Sequence, residues 1–216
     1  MANTELWSQI HTERRALAAD LESLNDQQWA TPSLCELWTV RDVLGHMVAT
    51  AKSTPLKFIA GLAGSRFQFN AMTAKDVARE TTGPYGDTLS HFQALITAIT
   101  HPPGPITAMV GEAVLHGEDI RRPLGIRREY PAETLTGVAD FYKGSNLLLG
   151  SKRRIAGLAL YATDADWSTG TGPEVSGPLI SLLLGMTGRS AGLGDLSGVG
   201  VATLRARISA PNMARM

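Results

Sequence analysis

Four stretches of the chain repeat their apolar residues at spacings of three and four, and the last three are closed by proline or glycine. That pattern limits the fold to packed helices over most of its length. Residues 4–24 place Trp7, Ile10, Leu17 and Leu21 on one stripe, with the Arg14 stem flanking it. A second helix is expected from about residue 40 to 62. Val43, Met47, Ala51 and Thr54 lie along one side, Thr39 is its N-cap, and Pro55 kinks it or ends its first half. Residues 87–99 repeat Leu89, Phe92, Leu95, Ile96 and Ile99 before HPPGP breaks the chain at 101–105. A fourth helix spans 106–122 and stops at Pro123 and Gly125. Such stripes bury best against one another, in a mainly α bundle of four antiparallel helices.

Pro131 opens a further short helix, to about residue 144. The pattern then changes. Residues 154–162 alternate imperfectly like a strand, a loop follows with Gly170, Gly172 and Gly177, and residues 179–186 form a short helix. The expected division is a helical bundle over residues 1–148 and a small α/β segment over 149–216. Residues 63–84 are open between a short helix near 70–80 and a connection.

Composition removes several functions. Twenty basic residues balance twenty acidic ones, without a charge run. Nucleic acid is therefore not an expected partner, because phosphate binding needs a concentrated basic footprint. The longest apolar runs are too short to span a bilayer, and the N-terminus has no signal-peptide core, so no membrane role is expected. Cys35 is the only cysteine, which suits a reducing cytoplasm. No serine nucleophile elbow, P-loop or GxGxxG occurs. No interface stripe decides between monomer and homodimer.

The chemistry concentrates in GEAVLHGEDIRRPLG, residues 111–125. On a helical wheel, Ile106, Met109, Ala113 and Ile120 form the apolar face. His116 falls inside that arc and Glu112 at its edge, while Glu118 is expected on the solvated side. A carboxylate on an inward face needs a partner, since burying it alone costs several kcal/mol. A divalent metal is one such partner, and His46 on the second helix is the best third ligand. Two histidines and a glutamate with one open position suit zinc, and nickel, iron or manganese also accept that set. Asp42 is the candidate to orient the His46 ring. The bland alternative is a satisfied core histidine beside a surface glutamate. His11, His91 and His101 are read as structural or solvated. Cys35 is read as a small buried hydrophobe, with soft ligand or reactive thiol as alternatives.

Three stretches together resemble the mycothiol-dependent maleylpyruvate isomerase family, an actinobacterial branch of the DinB-like metal-binding bundles. They are WATPSLCELWTVRDVLGHMVA, GEAVLHGEDIRRPLG and ATDADWSTGTGPEVSGPLISLLLGMTGR. The resemblance implies an up-down-down-up four-helix bundle, in a member with a shortened C-terminal part. It also implies a divalent metal, usually zinc, held by His46, Glu112 and His116. The reaction it implies is a metal- and thiol-dependent isomerisation or S-transfer, with mycothiol as cosubstrate and a small electrophile as substrate. A metal lowers the pKa of a bound thiol and makes a nucleophile near neutral pH. Asp42 and Asp119 are the candidate catalytic groups. Trp38 and Arg189 are the candidates for substrate or thiol binding. A noncatalytic metal-binding, stress-related protein and a thiol-independent metal hydrolase are the alternatives.

Overall fold

The first stripe forms α1, Asn3–Leu21, in a computed structural model that describes residues 2–147 and 149–210. Leu6, Ile10, Leu17, Ala18 and Leu21 are buried on it. After the single turn α2, Asp26–Trp29, the chain enters α3, Val40–Lys52. Thr39 and Asp42 begin α3 as a reciprocal pair. The Asp42 backbone N–H donates to Thr39 Oγ1 at 3.2 Å, and the Thr39 N–H donates to Asp42 Oδ2 at 2.9 Å. Such a box satisfies two helix-end donors and is worth about 1 kcal/mol.

Pro55 ends α3 rather than kinking it. Ser53 and Thr54 are extended, and Thr54 caps α4, Pro55–Gly64, with the proline in the first turn where its missing N–H costs nothing. The open stretch resolves into α5, Phe69–Glu80. The third stripe makes a shorter helix than its periodicity predicts: α6 is Tyr85–Gln93. Beyond it the chain tightens into turns. Pro102 and Pro103 offer no N–H to the carbonyls of Ala98 and Ile99, so helix cannot continue there. The Arg14 side chain instead donates Nη1 to Leu95 O at 3.3 Å and to Ala98 O at 3.0 Å.

The fourth helix, α7, is Ile106–Arg121. It packs against α1 and α3, while α6 also packs against both, so α1, α7, α3 and α6 close a four-helix ring. The core of this ring holds Leu17, Leu21, Val43, Leu44, Met47, Val48, Phe92 and Ile120. Enclosure on two sides leaves α7 buried almost all round. Glu118 is accordingly not the solvated glutamate expected from the wheel. It is 5% exposed and accepts from Arg122 Nε at 2.9 Å. The wheel's solvated side is therefore closed in the folded chain, where Glu118 is more buried as a residue than Glu112.

The chain divides into two compact units, one ending at Glu129 and the other starting at Tyr130. In the second, α8, Ala132–Gly144, packs against α9, Ser151–Arg154, and α10, Leu179–Met186. The expected boundary after residue 148 had kept α8 with the bundle; its packing groups it with the second unit. Only the end of the expected strand is β1, Ala159–Ala162. It pairs antiparallel with β2, Ser168–Thr169, and parallel with β3, Glu174–Gly177. Gly170 and Gly172 cross close to the strand's approach. A Cβ on either would stand 2.2 Å from a backbone carbonyl oxygen, of Leu158 and Gly157 respectively. The chain then forms α11, Val201–Ser209.

Candidate metal centre

His46 lies two turns into α3, and His116 lies in the second half of α7. The packing of these helices brings the two rings to 5.0 Å between centroids, nearly perpendicular at 78°. The Trp38 ring sits 5.2 Å from His46 on the turn leading into α3. Burial above all, with the neighbouring His116, lowers the pKa of His46 to about 3 against the opposing effect of Asp119. His46 is therefore neutral at ordinary pH and keeps a lone pair for a cation.

The His116 ring is turned by its neighbours. Its Nδ1 is 2.9 Å from Asp119 Oδ2, and the same oxygen accepts from Cys35 Sγ at 3.1 Å. Burial disfavours the imidazolium, but the hydrogen bonds to Asp119 and Cys35 outweigh it and raise the pKa to about 10. The metal-free ring is therefore protonated at ordinary pH; with Nδ1 held by a carboxylate, Nε2 is the nitrogen a cation would take by displacing its proton. That is the usual arrangement behind metal-binding histidines.

Glu112, one turn before His116, shows a different condition. Both of its carboxylate oxygens are buried, and neither has a hydrogen-bond partner among the described residues. Burial raises its pKa, while Arg14 and His116 pull it down. Arg14 is itself only 1% exposed. Its Nε and Nη2 are buried without partners, and burial lowers its pKa while Glu112 raises it. Sequence reasoning missed this role, although Arg14 stands on the inward stripe of α1 between Ile10 and Leu17. A buried carboxylate with two unused oxygens, a neutral histidine and a second histidine whose Nδ1 is held by a carboxylate fit a divalent cation in donor type.

The remaining predicted residues are placed as follows. Asp119 is fully buried beneath His116. Asp42 spends Oδ2 on Thr39, with its Oγ1 at 2.7 Å as well as the backbone N–H. The structure thus gives Asp42 a capping role. Cys35 is partly exposed and hydrogen-bonded, unlike the buried hydrophobe expected. Arg189 belongs to the second unit, where Nη1 lies 3.5 Å from Thr187 O. The other histidines keep structural surroundings: His11 and His101 flank Trp7 at 6.0 and 5.8 Å, and His91 lies 3.7 Å from Glu80.

A mainly helical bundle with these side chains between its helices is a DinB-like fold. The relatives are more specific. Residues 10–101 match the family model for the mycothiol maleylpyruvate isomerase N-terminal domain. The chain also matches the crystal structure of the mycothiol-dependent maleylpyruvate isomerase, with TM-score 0.60 and 14% identity, over 92% of this chain and 93% of that one. A histidine-to-alanine mutant of that isomerase matches with TM-score 0.62 and 13% identity over the same shares. No curated protein matches the chain. The chain therefore resembles this isomerase family in sequence over its N-terminal part and in fold over nearly its whole length. Little of either chain lies outside the structural match, so the expected C-terminal shortening is small. The matched segment contains Cys35, Trp38 and His46 but ends before Glu112 and His116.

Proposed function

We propose that this protein is a divalent-metal-dependent enzyme that uses a low-molecular-weight thiol, mycothiol in the first instance, to isomerise a small electrophile or to transfer the thiol sulfur to it. The observation that carries the reading is the buried Glu112 carboxylate with neither oxygen hydrogen-bonded, one turn from His116, whose ring stands 5.0 Å from His46. His46, Glu112 and His116 would hold the metal, with zinc favoured by the two imidazoles. When bound, such an ion supplies positive charge that lowers the pKa of a thiol or water beside it.

The chain's own groups prepare the site for an anion. Asp119 accepts at His116 Nδ1 and fixes the ring, so Nε2, whose proton a metal would displace, is directed away from the carboxylate. Trp38 stands beside the His46 ring, tilted by 43° with 5.2 Å between centroids. The Arg14 charge offsets Glu112, so a dication in the site leaves a surplus of positive charge. A thiolate, or an electrophile carrying a carboxylate, relieves that surplus. The fold shared with the isomerase structures makes maleylpyruvate a substrate worth testing first.

The test is a turnover assay of metal-loaded protein with maleylpyruvate and other small electrophiles, with and without mycothiol. Activity that requires the thiol supports the proposal. Activity indifferent to the thiol rejects it in favour of hydrolysis. Failure to take up metal, below about 0.1 ion per chain after loading, rejects the centre itself.

A further inference from the structure

The thiol of Cys35 is not used by the proposed centre, yet it is the most deliberately held side chain near it. Cys35 N–H donates to Ser33 Oγ at 3.1 Å, and Ser33 Oγ donates to Trp38 O at 2.8 Å. Trp38 N–H closes the turn on Cys35 O at 3.1 Å. Leu34 N–H reaches across to the backbone carbonyl of Asp119 at 3.1 Å, which ties this turn to α7 at the residue that meets the thiol. Leu37 is fully exposed with φ at 68°, a left-handed conformation that a leucine avoids and that no burial offsets. The turn thus accepts backbone strain while it holds Cys35 against α7.

What it holds there is a set of donors. Cys35 Sγ, Asp119 Oδ2 and His116 Nδ1 are separated by 3.1, 2.9 and 3.8 Å. All three lie within 4.8 Å of one another. Ligands at zinc distances stand roughly 3.3–3.8 Å apart around a tetrahedral ion, so only small shifts separate this cluster from a coordination shell. Asp119 is fully buried, while Cys35 and His116 are partly exposed and leave a way in.

We propose that Cys35, Asp119 and His116 form a second position for a thiophilic divalent cation such as zinc or cadmium, beside the His46–Glu112–His116 centre. Only the sharing of His116 rests on the function proposed above. The second position uses Nδ1 and the first uses Nε2. Coordination displaces the thiol proton and the ring proton that Nδ1 shares with Asp119, both to solvent. Thiolate selects soft ions, so magnesium and calcium do not compete. An ion in this position removes the hydrogen bond that orients His116, and thereby couples its occupancy to that of the first centre.

Cobalt(II) bound to the full chain tests this, because thiolate–cobalt charge transfer absorbs in the near ultraviolet and histidine or carboxylate ligation does not. The expected result is a charge-transfer band in the wild-type protein. Cys35→Ser, which keeps a hydroxyl donor for Asp119, should lose the band but retain visible ligand-field absorption. His46→Ala should keep the band. Loss of all cobalt binding in Cys35→Ser would support the second position and overturn the first centre. Bound cobalt without charge transfer in the wild type, or a band unchanged in Cys35→Ser, would overturn the second position and leave the first standing. A wild-type chain that binds no cobalt overturns both.

Discussion

Glu112 and Asp119 are two acidic residues on one helix, seven positions apart, and they meet opposite fates. Asp119 is fully buried and satisfied: a single oxygen takes the Cys35 thiol and the His116 ring. Glu112 has both oxygens buried and no hydrogen bond to either among the described residues. An unpaired buried carboxylate is costly, and a fold keeps one where something not made of protein completes it. The satisfied acid orients; under the proposed function, the unsatisfied one is what a cation would complete. Glu118, between them in sequence, shows the ordinary solution, an ion pair with Arg122 at 2.9 Å.

The contrast can be broken most directly at the ligands. His116→Ala, which removes the ligand common to both proposed positions, is expected to reduce bound zinc to below about 0.1 per chain, and Glu112→Gln to lower it by about one ion per chain, while the bundle stays folded, as read by metal analysis and circular dichroism. Full zinc occupancy in Glu112→Gln would remove the distinction between the two acids. Asp119→Asn should act more mildly, lowering zinc affinity by about 10- to 100-fold, since it frees the ring without deleting a ligand. A chelator-competition titration in Cys35→Ser, where only the His46–Glu112–His116 centre remains, measures that interval, and an effect as large as that of Glu112→Gln would make Asp119 a ligand of that centre.

The metal-free protein should also record the two histidines in its stability. His116 is raised to about 10 from 6.5, so the stability it contributes is complete below pH 6.5 and is lost as pH rises toward 10. His46 is lowered to about 3 from 6.5, so its contribution is complete above pH 6.5 and is lost as pH falls toward 3. Metal-free chains should therefore melt highest near pH 6.5, with the alkaline limb flattened in His116→Ala and the acid limb flattened in His46→Ala. A single monotonic limb would contradict the opposed environments of the rings. The smallest effect belongs to Asp42→Ala, which should cost about 1 kcal/mol of stability through the lost cap and leave zinc affinity unchanged. A loss of zinc there would restore Asp42 as an orienter of His46.

Much of the site was legible because helical periodicity is local. Four-residue spacing put Glu112 and His116 on one inward side before any tertiary contact was known, and the stripe through Val43 and Met47 carried His46 with them. Arg14 was equally visible on its stripe, but its stem was read as a flank because no sequence pattern says which carbonyls a guanidinium will reach. Cys35 was misjudged for a related reason. Its partner lies eighty-four residues away, and only the packing of its turn on α7 sets them 3.1 Å apart. The third helix is shorter than its stripe because the chain goes over to i→i−3 turns after Gln93, with Leu95 N–H on Phe92 O and Ala98 N–H on Leu95 O, a change of backbone that apolar spacing does not register.

By itself the sequence determined the helices, their breaks and their inward residues, since these follow from backbone geometry and from the cost of exposing apolar stripes. Tertiary structure alone decided which buried polar atoms found partners. It covered Glu118, gave Asp42 to a cap, closed Cys35 on Asp119 and left Glu112 open, because hydrogen bonds between helices depend on how those helices meet.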